Sequence, residues 1–150
     1  NRRAIDAHLA ELAEKGEPRV IALCDIDHFK SVNDRYGHGV GDRVIKLVAS
    51  TLEDACTAQF VGRWGGEEFI VIMPSSDIAA VIKRLNQARQ TLADTKFKLR
   101  ETDEPMGLIS FSGGVALAVG GKQANVTALQ QADKALYRAK DEGRNCILSA

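Results

Sequence analysis

The chain has 150 residues, 45% apolar and 27% charged, a balance that lets one domain bury most of its apolar surface in a single core. Twenty basic side chains offset twenty acidic ones, which argues against a nucleic-acid strand or an anionic membrane as partner and leaves any anion to be held by local groups. No apolar run approaches the roughly 18 residues of a membrane span, no signal-peptide core opens the chain, and Cys24, Cys56 and Cys146 are too far apart for a zinc pattern or a disulfide framework; a cytoplasmic protein is expected.

Ala4, Ile5, Leu9 and Leu12 fall at helical spacing, and Gly16 with Pro18 supplies the stop. Val20 to Ile26 is an almost continuous apolar run, the pattern of a central strand buried on both faces. It ends in Asp25, Asp27, His28 and Lys30, and polar groups at the end of a buried strand are held rigidly enough to serve a ligand. Val44, Ile45, Val48 and Leu52 share one face of a helix predicted from Val40 to Ala55, after Gly37, Gly39 and Gly41.

Phe60-Val61 and Phe69 to Met73 flank Trp64-Gly65-Gly66-Glu67, which predicts a β-hairpin whose tight turn uses glycine at positive φ. Ile78, Val81, Ile82, Leu85 and Leu92 mark a helix after Pro74. Phe97-Lys98-Leu99 and Leu108 to Val119 read as strands around a polar loop from Glu101 to Pro105. A last helix is predicted from Asn125 to Asp141, with Gly143 as its C-cap, and Cys146 to Leu148 as a short closing strand. The order of elements predicts an α+β fold with an antiparallel-rich central sheet flanked by helices.

Two acidic pairs stand out, Asp25 with Asp27 and Glu67 with Glu68. If their strands are neighbours the carboxylates converge, and a hard divalent cation that also grips phosphate oxygens is what relieves their repulsion. Taken singly, each is an ordinary solvated or capping group; the combination points to a magnesium phosphate site. An EF-hand is excluded, because Lys30 and Tyr36 stand where its loop requires glycine and glutamate.

Asp25-Ile26-Asp27-His28-Phe29-Lys30, Asn33-Asp34, Gly37-His38, Gly41-Asp42 and Arg63-Trp64-Gly65-Gly66-Glu67-Glu68-Phe69 follow one another along the chain, and Ala132 to Tyr137, Ala139-Lys140 and Gly143-Arg144-Asn145 come after them. With Asn1-Arg2-Arg3 at the start, this succession resembles the GGDEF family, the catalytic domains of diguanylate cyclases, from one end to the other. The resemblance implies a fold similar to the nucleotidyl cyclase and polymerase palm. It implies an enzyme that condenses two GTP into cyclic di-GMP across a homodimer, the 3′-hydroxyl of one attacking the α-phosphate of the other and two pyrophosphates leaving.

By the same resemblance, Asp25, the Ile26 carbonyl and Glu67 ligate Mg²⁺, with Mn²⁺ accepted by the same oxygen donors. Glu67 is the candidate proton acceptor and Glu68 supports the site. Backbone amides around His28, Phe29 and Lys30 cradle the β- and γ-phosphates, which Lys140 and Arg144 neutralise; Asn33, His38 and Asp42 hold the guanine end. Guanine offers two adjacent donors, N1–H and its amine, that one carboxylate accepts together, whereas adenine turns a lone pair toward it. The expected partners are GTP and a second copy, with no nucleic acid and no membrane contact. The domain is expected to have been excised from a longer protein whose upstream region controls it and could tether it to a membrane.

Two alternatives are weighed. A catalytically inactive GTP or cyclic di-GMP sensor is disfavoured by the intact Asp25, Glu67 and Glu68, and a different palm-like cyclase or polymerase by the absence of net positive charge for a template. Two departures from the family pattern are visible. Cys56-Thr57-Ala58-Gln59 stands where many members carry the inhibitory product site Arg-x-x-Asp, so feedback through it is expected to be absent, and Ser112-Gly113-Gly114 has glycine where a larger apolar residue is common.

Overall fold

The computed structural model describes residues 1–57, 59–99, 102 and 104–150. Ala58 of the missing product motif, and Glu101 and Asp103 of the polar loop, lie outside the described residues.

In chain order the elements are α1 (Arg2–Glu14), β1 (Arg19–Ile26), α2 (Phe29–Tyr36), α3 (His38–Ala55), β2 (Phe60–Arg63), β3 (Glu68–Met73), α4 (Ile78–Asp94), β4 (Phe111–Ala118), α5 (Lys122–Asp141) and β5 (Ile147–Ser149). The strands form one sheet in the order β2-β3-β1-β4-β5. All neighbours are antiparallel except β4 and β5, which run parallel. The α+β class expected from the element order is the one observed.

Strand β1 lies at the centre and every one of its residues is buried, because alternate side chains serve different cores. Val20, Ala22, Cys24 and Ile26 pack with Val44, Val48 and Leu52 of α3 and Val81 and Leu85 of α4. Ile21 and Leu23 point the other way, to Ile5, Leu9 and Leu12 of α1 and Ala132 and Leu136 of α5. The result is helices, sheet, helices. Among the described residues no helix is long and apolar enough to cross a membrane.

Arg19 opens β1 with 0% exposure. Its guanidinium donates to Asn125 Oδ1 at 2.7 Å and to the carbonyls of Glu17, Gly120 and Gly121 at 2.8–3.0 Å. A buried cation survives where dipoles satisfy its fork of donors, and here it fastens the strand to the turn that starts α5. Asn125 in turn donates to the Leu9 carbonyl of α1.

Several expectations need correction. Helix α2, Phe29 to Tyr36, falls outside the predicted elements; it buries no residue fully, and Phe29 and Val32 pack only partly against the core. Helix α3 starts at His38, so Gly39 and Gly41 lie inside its first turns; only Gly37, at φ 89°, breaks the chain between the two helices. The Phe97 to Leu99 stretch forms a bridge between Lys98 and Pro105 but no strand of the sheet. Helix α5 begins at Lys122, ahead of the predicted Asn125. Its end follows the expected chemistry one residue later than a cap: Glu142 is the C-cap, Gly143 follows at φ 108°, and the amides of Gly143 and Arg144 return to the carbonyls of Lys140 and Ala139.

The hairpin also differs. Trp64 and Gly65 amides both donate to the Glu68 carbonyl, at 2.8 and 3.2 Å, which leaves Gly65-Gly66-Glu67 as a three-residue loop. Neither glycine is among the described residues with positive φ. A Cβ on Gly66 would meet no atom of the described residues within 4 Å, and one on Gly65 would meet only the Glu68 side chain.

Candidate active site

The acidic pairs do meet, because β1 and β3 are neighbours. Asp25 stands opposite Glu68 in the register, and the Ile26 amide donates to the Glu67 carbonyl at 3.1 Å. Like charges directly opposed across a sheet are unfavourable unless something positive intervenes. Lys140 of α5 supplies one such charge, its Nζ 2.6 Å from Asp25 Oδ2. Burial, followed by the charge of Asp25, still pushes the Glu68 carboxyl above its ordinary range, against the opposing pull of Lys140.

A group whose folded pKa is raised favours the folded state fully below its unfolded pKa, and that contribution is lost as pH rises through the folded value. Glu68→Gln is therefore expected to raise the urea midpoint of the protein at neutral pH in the absence of divalent ions. The gain should shrink to nothing as pH falls below about 4, the ordinary glutamate range. Paired urea titrations of the two proteins across that pH range check it.

Two pockets adjoin these carboxylates. The first, about 280 Å³, is lined by Asp25, Ile26, Asp27 and the 28–31 turn on one side and by Glu67, Lys140 and Arg144 on the other. His28 enters α2 in the left-handed region at φ 56° and provides no side-chain cap, so the first amides of the helix are the unpaired donors that attract anions. The second pocket, about 500 Å³, is bounded by Asn33, His38, Asp42, Arg63 and Gly66. Phe29, Lys30 and Glu67 line both, so the two pockets adjoin as two ends of one cleft, one carrying Lys140 and Arg144 and the other Asn33, His38 and Asp42.

The polar end is assembled by the α2–α3 corner. His38 and Asp42 are four residues apart and share a face of α3. Asn33 of α2 is brought against Gly41, where an added Cβ would run into its amide oxygen. That oxygen is buried with no hydrogen-bond partner, an unusual state for a buried acceptor. The loop at the mouth is braced by Arg63, which donates to the carbonyls of Gly65 and Gly66. Arg2 of α1 donates to the Trp64 carbonyl at 3.0 Å and lies 3.6 Å over its ring.

All the residues singled out by sequence as metal- or substrate-binding lie on this cleft or directly behind it. Glu68 stands behind it, on β3. Asp27 departs from the expected acidic pair, since it is turned into a hydrogen-bond network with Ser110, Ser112 and Asn145. Sequence reasoning gave no part to those three or to the bracing role of Arg63. The contacts of Ser110, Ser112 and Asn145 with Asp27 cross between elements distant in the chain and so leave no mark in local spacing, whereas Arg63 reaches only two and three residues along its own loop.

The donor set suits a hard divalent ion. It consists of oxygens only, and the charged form of Glu68 is disfavoured first by burial and then by the neighbouring charge of Asp25, which a cation would offset. Among the described residues no three His, Cys, Asp or Glu side chains form a metal cluster by themselves. A site of one or two carboxylates completed by backbone and phosphate oxygens is the arrangement magnesium favours.

Diguanylate cyclase DgcP of Pseudomonas aeruginosa is 38% identical to the chain over 150 residues, 97% of this chain and 22% of that protein. Diguanylate cyclase VdcA of Vibrio cholerae is 34% identical, covering 99% of this chain and 44% of its own length. The chain thus spans less than half of either relative. Among solved structures, the GGDEF domain of DgcB from Caulobacter crescentus, in complex with c-di-GMP, superposes with a TM-score of 0.91 at 36% identity, over 99% of this chain and 90% of that one. The active GGEEF domain of a diguanylate cyclase from Vibrio cholerae gives 0.87 at 30% identity, over 99% and 96%. The family model for the GGDEF domain of diguanylate cyclases matches residues 1–146, and with fold, motifs and cleft in agreement the chain belongs to the GGDEF family.

Proposed function

We propose that the domain is an active diguanylate cyclase half-site that binds one GTP along the cleft and joins it to a second GTP held by a facing copy. The observation that carries this reading is that Glu67 lines both adjoining pockets, with a polar end of base size on one side of its carboxylate and the basic Lys140–Arg144 end on the other.

Asp25, Glu67 and the Ile26 carbonyl would hold Mg²⁺ or Mn²⁺, which when bound spreads the charge of the phosphate oxygens and acidifies the attacking hydroxyl. The amides of the 28–30 turn receive the β- and γ-phosphates at the start of α2. Lys140, which stands beside Asp25, turns with Arg144 to the phosphates. Glu67 accepts the proton of the 3′-hydroxyl, and Glu68 behind it holds the local field negative. The cleft accommodates one nucleotide, so the second substrate requires a second chain and activity depends on a homodimer. A cytoplasmic location goes with that substrate. Cys56, which is buried, and Gln59 offer no charge where the product-inhibition motif would stand; regulation through it is absent in this reading.

The test is to incubate the domain, dimerised by a fused coiled coil, with GTP and Mg²⁺. Cyclic di-GMP by mass, with two pyrophosphates released per molecule, is expected. Tight GTP binding without pyrophosphate would instead identify a sensor. Asp42→Ala should lower the GTP-over-ATP ratio of kcat/KM by roughly 100-fold or more, since sites built on hydrogen bonds derive most of their discrimination from the groups left unpaired by the wrong ligand. A ratio equal to that of the parent would remove Asp42 from base recognition.

A further inference from the structure

We infer that Asp27 is a positioning residue, which holds the Arg144–Asn145 loop against the phosphate end of the cleft, and that it is not a metal ligand. The inference rests on the triphosphate reading of that pocket. Both oxygens of Asp27 are already engaged. Ser112 Oγ donates to Oδ1 at 2.6 Å, while Ser110 Oγ at 2.6 Å and the Asn145 amide at 3.0 Å donate to Oδ2. The Asp27 amide closes the circuit by donating to the Ser110 carbonyl at 2.9 Å.

The object of this network is a strained stretch of backbone. Arg144 and Asn145 sit at φ 65° and 48°, a region that a Cβ disfavours and that persists only when surrounding groups over-determine it. Asn145 is gripped from both sides. Its amide is shared between Asp27 and Ser112 Oγ, the latter at 3.1 Å, and its side-chain oxygen accepts from Arg89 Nη1 of α4 at 2.8 Å. Arg144, the residue before it, is exposed yet lines the phosphate pocket. The same carboxylate immediately precedes His28, which turns the chain into α2. Asp27 therefore joins the two walls of the pocket, and hydroxyl and amide donors occupy three of the roughly four lone-pair sites of its carboxylate, both on Oδ2 and one on Oδ1.

The two roles diverge on substitution. Alanine removes every contact. Asparagine keeps one oxygen for the Asn145 amide and offers its NH₂ to Ser112 Oγ, but it is a poor magnesium ligand. Asp27→Ala is expected to raise KM for GTP by about 10- to 100-fold, with kcat changed less and half-saturation by Mg²⁺ unmoved. Asp27→Asn should recover most of that loss, and Arg144→Ala should add little in the Asp27→Ala background. Independently of nucleotide, the Asn145 amide should exchange with solvent faster in Asp27→Ala than in the parent. If Asp27→Ala does not fold, Ser110→Ala, which removes one donor from Oδ2, should show the same pattern at smaller size. The inference is overturned if Asp27→Asn is as damaging as alanine and shifts the Mg²⁺ requirement as Asp25→Asn does, or if Asn145 exchange is unaltered. An inactive parent that binds no GTP would refute the function proposed above, while the exchange measurement would still decide the loop.

Discussion

Glu67→Ala is expected to reduce cyclic di-GMP formation by roughly 10³-fold or more, with the thermal midpoint of the nucleotide-free protein close to that of the parent. Glu67 is half-exposed on a loop and takes no part in either core, and substitutions away from packed or strained features change stability by about 0.5 kcal/mol or less. Its backbone, which is what attaches the loop to β1 through the Ile26 amide, survives the change. What is lost is a carboxylate common to both ends of the cleft. Metal-assisted charge stabilisation amounts to several kcal/mol, and each 1.36 kcal/mol is about tenfold in rate. Single-turnover assays beside a melting curve check the result. Activity within tenfold of the parent would remove Glu67 from the chemistry.

Gly114→Ala should lower stability by about 3 kcal/mol or more, near the upper end of what overpacking costs. The added Cβ would collide with backbone atoms of Ala132, Ala135 and Leu136, and helix backbone cannot rotate aside as a side chain can. Gly114, Ala116 and Ala118 present a surface of small residues to Ala128, Ala132 and Ala135 of α5, which lets helix and strand approach closely. Gly113, on the opposite face, provides the control. A Cβ there meets the tip of Ile147 at 2.9 Å, a flexible end that yields, so Gly113→Ala should cost about 1 kcal/mol or less. Urea midpoints at constant m-value measure both. Because α5 carries Lys140 and precedes Arg144, lifting it in Gly114→Ala should weaken nucleotide binding as well.

The Gly113 position also explains a departure that was visible in the chain but had no account there. The room that a side chain at Gly113 would need is taken by Ile147 of β5, the neighbour in register. No reading of either residue alone would have linked them.

Elements whose burial follows a short period were legible from the chain. The continuous apolar run of β1, the stripe of Val44, Ile45, Val48 and Leu52 on α3 and the alanine-lined face of α5 each encode their own environment. Helix α2 was not legible, because it is short, buries no residue fully and packs only Phe29 and Val32 partly against the core. Nor was the conformation of the hairpin glycines, neither of which is among the described residues with positive φ.

Composition and motif order by themselves determined the family, the α+β class and the acidic residues, since those depend on residue type and spacing within each element. Only the tertiary structure decided what each carboxylate touches. Asp25 and Asp27 are two residues apart on one strand, but strand register puts the first opposite Glu68 and beside Lys140, while β4 and the loop after α5 claim the second. Hydrogen-bond donors that arrive from more than 80 residues away leave no trace in local sequence, and they give the two carboxylates their different surroundings: one lysine for Asp25, two hydroxyls and a backbone amide for Asp27.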